Sequence, residues 1–447
     1  MRTVSLFRKS PKERTLRLSF LDGGFFAAMV GFTEQYLTPY ALAMGATTPQ
    51  IGLLTSIPNL FGSLSQVKAA DAAEKMGGRK KLIAATILLQ GLLWLPMIII
   101  PWWIAPLYQV PALITLLTFF NVAGAYAAPA WSSILSDCVP EKERGNFFGL
   151  RNRWMGFITV LCSFIAGAIL HYCHRDFIGF AIVLILAFIT RMISWFCLTR
   201  IYEPPLVIRE EDRFTLWDFL RRLRASNFAK FVLFSACFTL TVNLVSPFFS
   251  VYMLKDRHFT YLQYTTVNVT ATIASLLAMR YWGKHADIVG NLKILKVSCW
   301  VIPIIPFLWL ISAAIGYLLI VQIIAGFFWS AFNLCATNFI YDAVSPEKRT
   351  RCVAYFNVLN GSAIFLGAFI GGAIAPHLPP LLGYRLMTLM VISGLLRLLI
   401  VSLLMGKIKE VRPVQKVGGF ELFSSMIGIR PIFGVSRDEE TFRIFRR

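Results

Sequence analysis

Charge is what this sequence has least of. Asp, Glu, Lys and Arg make up 15% of its 447 residues, where an ordinary soluble domain carries about 25%. That leaves too little polar surface to coat the several soluble domains such a length allows. Metal-ligand and catalytic patterns are missing as well. The eight cysteines (138, 162, 173, 197, 237, 299, 335, 352) form no CxxC pair and share no ligand spacing with histidine. Most lie within apolar runs, which argues against a disulfide framework or a zinc site. The five histidines lie apart, and there is no HExxH, GxSxG or P-loop. The chain is therefore expected not to be an enzyme and not to be driven directly by ATP. No cofactor is expected beyond a proton or other ion gradient.

What is present is apolar and bulky. Hydrophobic residues make up 57% of the chain, with 38 Phe and 11 Trp. The apolar residues gather in runs of 20 or more, the length of a bilayer-spanning helix, so a disordered or fibrous chain is excluded. Twelve segments qualify: 18–44, 48–68, 82–104, 107–135, 147–172, 177–199, 229–254, 261–282, 292–313, 315–340, 352–376 and 385–406. Without the alternation of barrel strands they predict helices, and the fold class is all-α integral membrane. The basic N-terminal stretch meets no small-residue cleavage site at the end of the first run, so it is not read as a signal peptide.

Lys and Arg set the expected orientation. The segments on one side, 45–47, 105–106, 173–176, 255–260, 314 and 377–385, hold only Arg175, Lys255, Arg257 and Arg385 of the 44 basic residues. Both termini then lie on the cytoplasmic side. Most of the +21 net charge faces the anionic inner leaflet, so membrane lipids rather than nucleic acid are the expected partner.

The chain repeats itself. Asp137-Cys-Val-Pro140-Glu-Lys-Glu-Arg144 parallels Asp342-Ala-Val-Ser-Pro346-Glu-Lys-Arg349, the prolines 206 apart. Arg191 and Arg397, lone arginines in spans six and twelve, are also 206 apart. Gln35-Tyr-Leu-Thr38-Pro39 parallels Asn243-Leu-Val-Ser246-Pro247 at 208. Glu74-Lys-Met-Gly77-Gly-Arg79-Lys80 parallels Asp287-Ile-Val-Gly290-Asn-Leu-Lys293 at 213, an offset that Gln50 and Gln263 share. Ordered pairs with slowly drifting offsets predict two pseudo-symmetric six-helix bundles, 18–199 and 229–406. A basic N-terminus (1–17), a linker (200–228) and a basic tail (407–447) complete the chain. In the linker, Leu216, Phe219, Leu220 and Leu223 share one face, as in a short helix lying on the inner leaflet.

On these residues the chain resembles the major facilitator superfamily over about 15–410, and within it a group of uncharacterised bacterial permeases. That family's loop signature G-x-x-x-D-x-x-G-x-[RK]-[RK] is echoed by Gly283, Asp287, Gly290 and Lys293. In the first copy Gly77, Arg79 and Lys80 fit, while Ala70 and Glu74 replace the leading Gly and the Asp. The resemblance implies a gate on the cytoplasmic side built from both copies. A carboxylate there can sit at the positive N-terminus of a helix from the other half. The family's span-four arginine and its span-five Gly-Pro motif are missing, which weighs against drug/proton exchange by the best-known route.

Ionisable groups at membrane depth cost at least about 2.5–3.5 kcal/mol on insertion scales, so each needs a reason. Glu34 is the only charge between Asp22 and Lys68. Burial disfavours its charged form, as a proton-coupling site requires. A counter-ion for a cationic solute and a structural carboxyl are the other readings. Gln35 and Tyr36 extend the polar content of span one. The resemblance places spans one, four, seven and ten around a cavity, where Asn121, Tyr126, Asn243, Trp329 and Asn333 are the candidate solute contacts. The expected function is secondary active transport of a small organic solute by alternating access, as a monomer in the bacterial inner membrane. The alternative is a transporter-like lipid translocator, receptor or scaffold without coupled flux.

Overall fold

A computed structural model describes residues 11–140, 143–173, 177–204, 226–344 and 346–411. The expected linker helix and most of the basic tail lie outside the described residues. The described chain is helical, and the one non-helical pairing in it is an isolated bridge, Leu381 to Tyr384.

The first half runs α1 (Pro11–Thr33), α2 (Leu37–Ala43), α3 (Thr48–Gln66), α4 (Ala69–Lys75), α5 (Arg79–Trp103), α6 (Pro106–Cys138), α7 (Arg144–Tyr172) and α8 (Phe177–Leu198). The second runs α9 (Asn227–Asn243), α10 (Phe248–Val251), a π turn at Tyr252–Asp256, α11 (Tyr261–Val289), α12 (Asn291–Val301), α13 (Ile305–Leu308), α14 (Ile315–Ala343), α15 (Pro346–Ile374) and α16 (Arg385–Leu404). Ten stretches are long and apolar enough to cross a bilayer. The two other expected spans are the helices α3 and α11, which are more polar and fall outside that set.

Local structure repeats where the sequence repeats. The span-one helix breaks at 34–36 and the span-seven helix at 244–247. Pro39 and Pro247 explain both breaks. Lacking an N–H, each leaves the carbonyl four residues earlier, Gln35 and Asn243, without a helical donor. The starts of α3 and α11 carry the same capping box: Thr47 with Gln50, and Thr260 with Gln263. The loop copies need a correction. Gly290 immediately precedes α12 with an extended ψ of 154°, and the residue that immediately precedes α5 with a like ψ of 150° is Gly78, where the sequence pairing used Gly77. The structural offset is therefore 212, one less than the sequence pairing. A Gly-Gly doublet leaves this choice open until the dihedral angles are seen.

Around an apolar core, the outer surface departs from that of a soluble protein. Leu107, Leu277 and Trp103 are 75%, 75% and 81% exposed, while Asp22, Arg151, Arg191 and Arg397 are buried. Apolar side chains facing outward around buried charges suit a hydrocarbon surround. Most packing lies within each half. Across the halves, α3 runs along α15, α7 crosses α11, and α2 meets α10. Glycines allow this closeness: a Cβ on Gly52 would lie 2.5 Å from the Ala368 carbonyl oxygen, and one on Gly361 2.1 Å from Ser63 Oγ.

Candidate functional site

Two cavities of about 400 and 470 Å3 share Asn360 and Ile364 of α15; the first lies between the halves, and the second is lined by the second half alone. Meeting at these two residues, they form one continuous chamber with a first-half and a second-half part. The first-half wall comes from α3, α5 and α6: Asn59, Ser63, Gln66, Gln90 and Asn121, with small residues such as Gly62 and Gly124 between them. The second-half wall comes from α9, α14 and α15, where Asn243 and Asn333 stand among Phe238, Trp329, Phe332 and Phe356. Phe238 and Phe332 pack at 5.4 Å, and Trp329 meets Phe332 edge-on at 5.5 Å. No charged side chain lines either cavity.

The asparagines are held by their own helices. Asn59 Nδ2 donates to the Thr55 carbonyl at 2.8 Å, Asn121 to Leu117 at 3.0 Å and Asn243 to Thr239 at 2.9 Å. Each amide spends one N–H on the carbonyl four residues back, which fixes its orientation and leaves the side-chain oxygen without a protein partner.

One end of the chamber is sealed. At the α1/α2 break, Tyr264 donates to the Gln35 carbonyl at 2.8 Å, the acceptor that Pro39 leaves free. The Tyr36 hydroxyl lies 2.5 Å from the Ser163 carbonyl and 2.6 Å from Thr265 Oγ1. Phe180 meets Tyr261 edge-on at 5.6 Å. These contacts join the halves on the side of the 45–47 loop. On the other side α6 and α14 pack within their own halves.

Asn121, Asn243, Trp329 and Asn333 all come to the chamber wall. Tyr126 does not; it packs against the small apolar cluster around Ile83, Ile134 and Leu198, facing away. Gln35 and Tyr36 belong to the seal. Glu34 lies at the same break, exposed and outside both cavity linings, rather than buried as its depth in the span suggested. Its carboxylate has no partner among the described residues.

The loop residues are arranged differently from the gate that the sequence suggested. Glu74 and Asp287 are exposed, without a partner among the described residues. The carboxylates that cap helix N-termini are Glu203 and Glu410, each within its own half. Glu203 accepts from the Arg79 and Lys80 amides at 2.8 and 3.3 Å, and Glu410 from the Leu292 amide at 2.8 Å. The Arg79 guanidinium binds Asp137 at 2.7 Å, Ser133 at 2.6 Å and the Pro204 carbonyl at 2.7 Å. In the second half Asn291 takes that place and donates to Asp342 at 2.8 Å. Gly77 lies in the turn before α5, whereas Gly283 is inside α11 and Lys293 is in the first turn of α12.

A buried charge cluster went unseen in the sequence. Asp22 accepts from Ser194 at 2.7 Å, Ser194 from Arg191 at 3.2 Å, and Arg191 also donates to Gln90 of the chamber wall. Arg151 packs over Trp131 with its guanidinium carbon 4.4 Å from the ring centroid. Arg397 has no such carboxylate and rests on Ser393 at 3.1 Å and the Val242 carbonyl at 3.3 Å. Both repeat arginines are thus held by protein groups rather than by lipid.

The profile of the Major Facilitator Superfamily matches residues 18–243 and again 231–436, once per half. Among curated proteins none matches the chain in sequence. Solved structures share the fold. The nucleoside transporter NupG aligns with a TM-score of 0.64 at 14% identity, covering 90% of this chain and 100% of its own. A bacterial homologue of the human lysosomal transporter Spinster, inward-facing and unoccupied, gives 0.68 at 14% identity, covering 89% and 97%. The D-xylose–proton symporter gives 0.68 at 11% identity, covering 91% and 100%.

Proposed function

The chain belongs to the Major Facilitator Superfamily, is a multi-pass membrane transporter rather than an enzyme, and we propose that it carries a small organic solute by alternating access. In this reading all twelve long segments cross the plasma membrane, α3 and α11 included, with both termini in the cytoplasm. Their extra polarity is borne by the cross-half contacts that hide it. The protein works as a monomer, because the chamber is complete within one chain.

One observation carries the reading. A polar chamber lies between two halves whose seal on one side consists of side-chain hydrogen bonds and ring contacts. Such contacts can break and re-form as the halves rock, which backbone continuity would not allow. The two helix breaks beside that seal, at 34–36 and 244–247, supply hinges.

Coupling is assigned to Glu34. It is an unpartnered carboxyl at the span-one break, next to the contacts that must open. Protonation there removes a charge as the surround changes from wet to enclosed. In proteoliposomes, Glu34→Gln should abolish uphill accumulation driven by a pH gradient while leaving solute exchange measurable. Accumulation by the variant at the wild-type rate and pH dependence would remove Glu34 from the mechanism.

A further inference from the structure

We propose that the chamber binds an uncharged ring-shaped solute, with hydroxyl or N–H donors along its edge and an apolar face, the chemistry shared by sugars and nucleosides. This rests on the transporter reading above and narrows its solute class.

Three observations converge. The first is the missing charge. A carboxylate, phosphate or ammonium solute moving into a low-dielectric site loses hydration that only opposite charge or many strong donors restore. Neither cavity has a charged side chain in its wall. The nearby buried charges are already occupied: Arg191 is engaged by Ser194 and Gln90, and Asp22 by Ser194.

The second is the sense of the hydrogen bonding. Asn59, Asn121 and Asn243 each turn an N–H back to their own helix. Their side-chain oxygens are left as acceptors, and none is a buried atom lacking a partner, so solvent in the chamber reaches them. A wall that offers carboxamide oxygens favours a ligand rich in O–H or N–H donors and discriminates strongly against one without them.

The third is the difference between the walls. The acceptors Asn59 and Asn121 stand on a first-half wall with no aromatic ring in it. Phe238, Trp329, Phe332 and Phe356 line the second-half part, which meets the first at Asn360 and Ile364. A sugar or nucleobase has a C–H or π face that packs on such rings while its edge hydrogen-bonds across the chamber. A lipid would leave the amides unmatched. An apolar drug would too.

The test is direct binding to the purified full-length chain, which does not require transport. Uridine, D-glucose and D-xylose are compared with uridine monophosphate, D-glucuronate, choline and a single-chain phospholipid. The readouts are ligand-dependent melting and calorimetry. At least one neutral solute should raise the melting temperature in a saturable way, and its charged counterpart should bind at least tenfold more weakly. Which neutral probe binds separates sugar from nucleoside. Asn121→Leu and Trp329→Ala should each weaken that binding about tenfold, the scale of one hydrogen bond or ring contact. Circular dichroism and the ligand-free melting temperature identify a variant that has merely misfolded; for such a variant Asn121→Ser or Trp329→Leu takes its place. Tighter binding of a charged or lipid probe, or no binding of any neutral one, overturns the proposal. If neutral solutes bind but the chamber never opens to the other side, the solute class stands and the transporter reading falls.

Discussion

Arg79 shows how much one side chain holds at the basic end of the first half. It is 4% exposed; its guanidinium donates to three groups from α6 and the segment after α8, and the Glu203 carboxylate lies 3.5 Å from its Nε. Charge-assisted hydrogen bonds of this kind contribute more than neutral ones. Asp137, however, is 42% exposed, so water screens part of that ion pair. Arg79→Ala should lower unfolding stability by about 1–3 kcal/mol, read as a fall in melting temperature in detergent. Arg79→Lys should recover little of it, because one ammonium cannot meet Asp137, Ser133 and the Pro204 carbonyl in the planar fork that Arg offers. Full recovery by Lys would mean that charge alone matters there. This residue was legible as part of a loop motif, but its partners were not. Glu203 lies 124 positions away in sequence, and Asp22 and Ser194 are separated by 172. Sequence indicates the depth of a charge; which group lies against it depends on packing.

At the scale of elements, glycines decide how near two helices come. On α14, a Cβ at Gly326 would lie 2.1 Å from the Ala271 carbonyl oxygen of α11, and backbone cannot step aside as a flexible side chain can. Gly316, near the start of the same helix, has nothing within 4 Å. Ala is the better helix former by about 1 kcal/mol. Gly316→Ala should therefore be neutral or slightly stabilising, and Gly326→Ala destabilising by about 1–3 kcal/mol through overpacking. Thermal unfolding of the two variants side by side checks this, and equal effects would mean that the approach of α11 to α14 is looser than described. The elements themselves were largely legible. Runs of apolar residues placed the long helices, and the Pro39/Pro247 pair anticipated two equivalent positions that turn out to be equivalent breaks. In α15, Gly367, Gly371 and Gly372 announce packing by their small size, and a Cβ on any of them would crowd a neighbouring helix. Asn357 and Asn360 on the same helix reach the chamber, a role that needs the partner wall to be seen. Tyr126 failed for the same reason: its helix lines the chamber, but its face of that helix does not.

For the whole molecule, the central claim is that the chamber opens alternately to the two sides. The duplication could be read from sequence because loop-sized drifts preserve order, whereas the sealed side could not, since Tyr36, Ser163 and the Tyr264–Thr265 pair come from three distant stretches of chain. Breaking that seal should shift the population toward the opposite opening without changing the chamber. The most direct measurement places Asn121→Cys in a background whose eight native cysteines are replaced. A membrane-impermeant maleimide is then applied to right-side-out and inverted vesicles. Labelling should be rapid from the side of the basic loops and slow from the other. Adding Tyr36→Phe with Thr265→Ala should speed labelling from the slow side several-fold and slow it from the first. Labelling from one side only, unchanged by those two substitutions, would contradict alternating access in this protein.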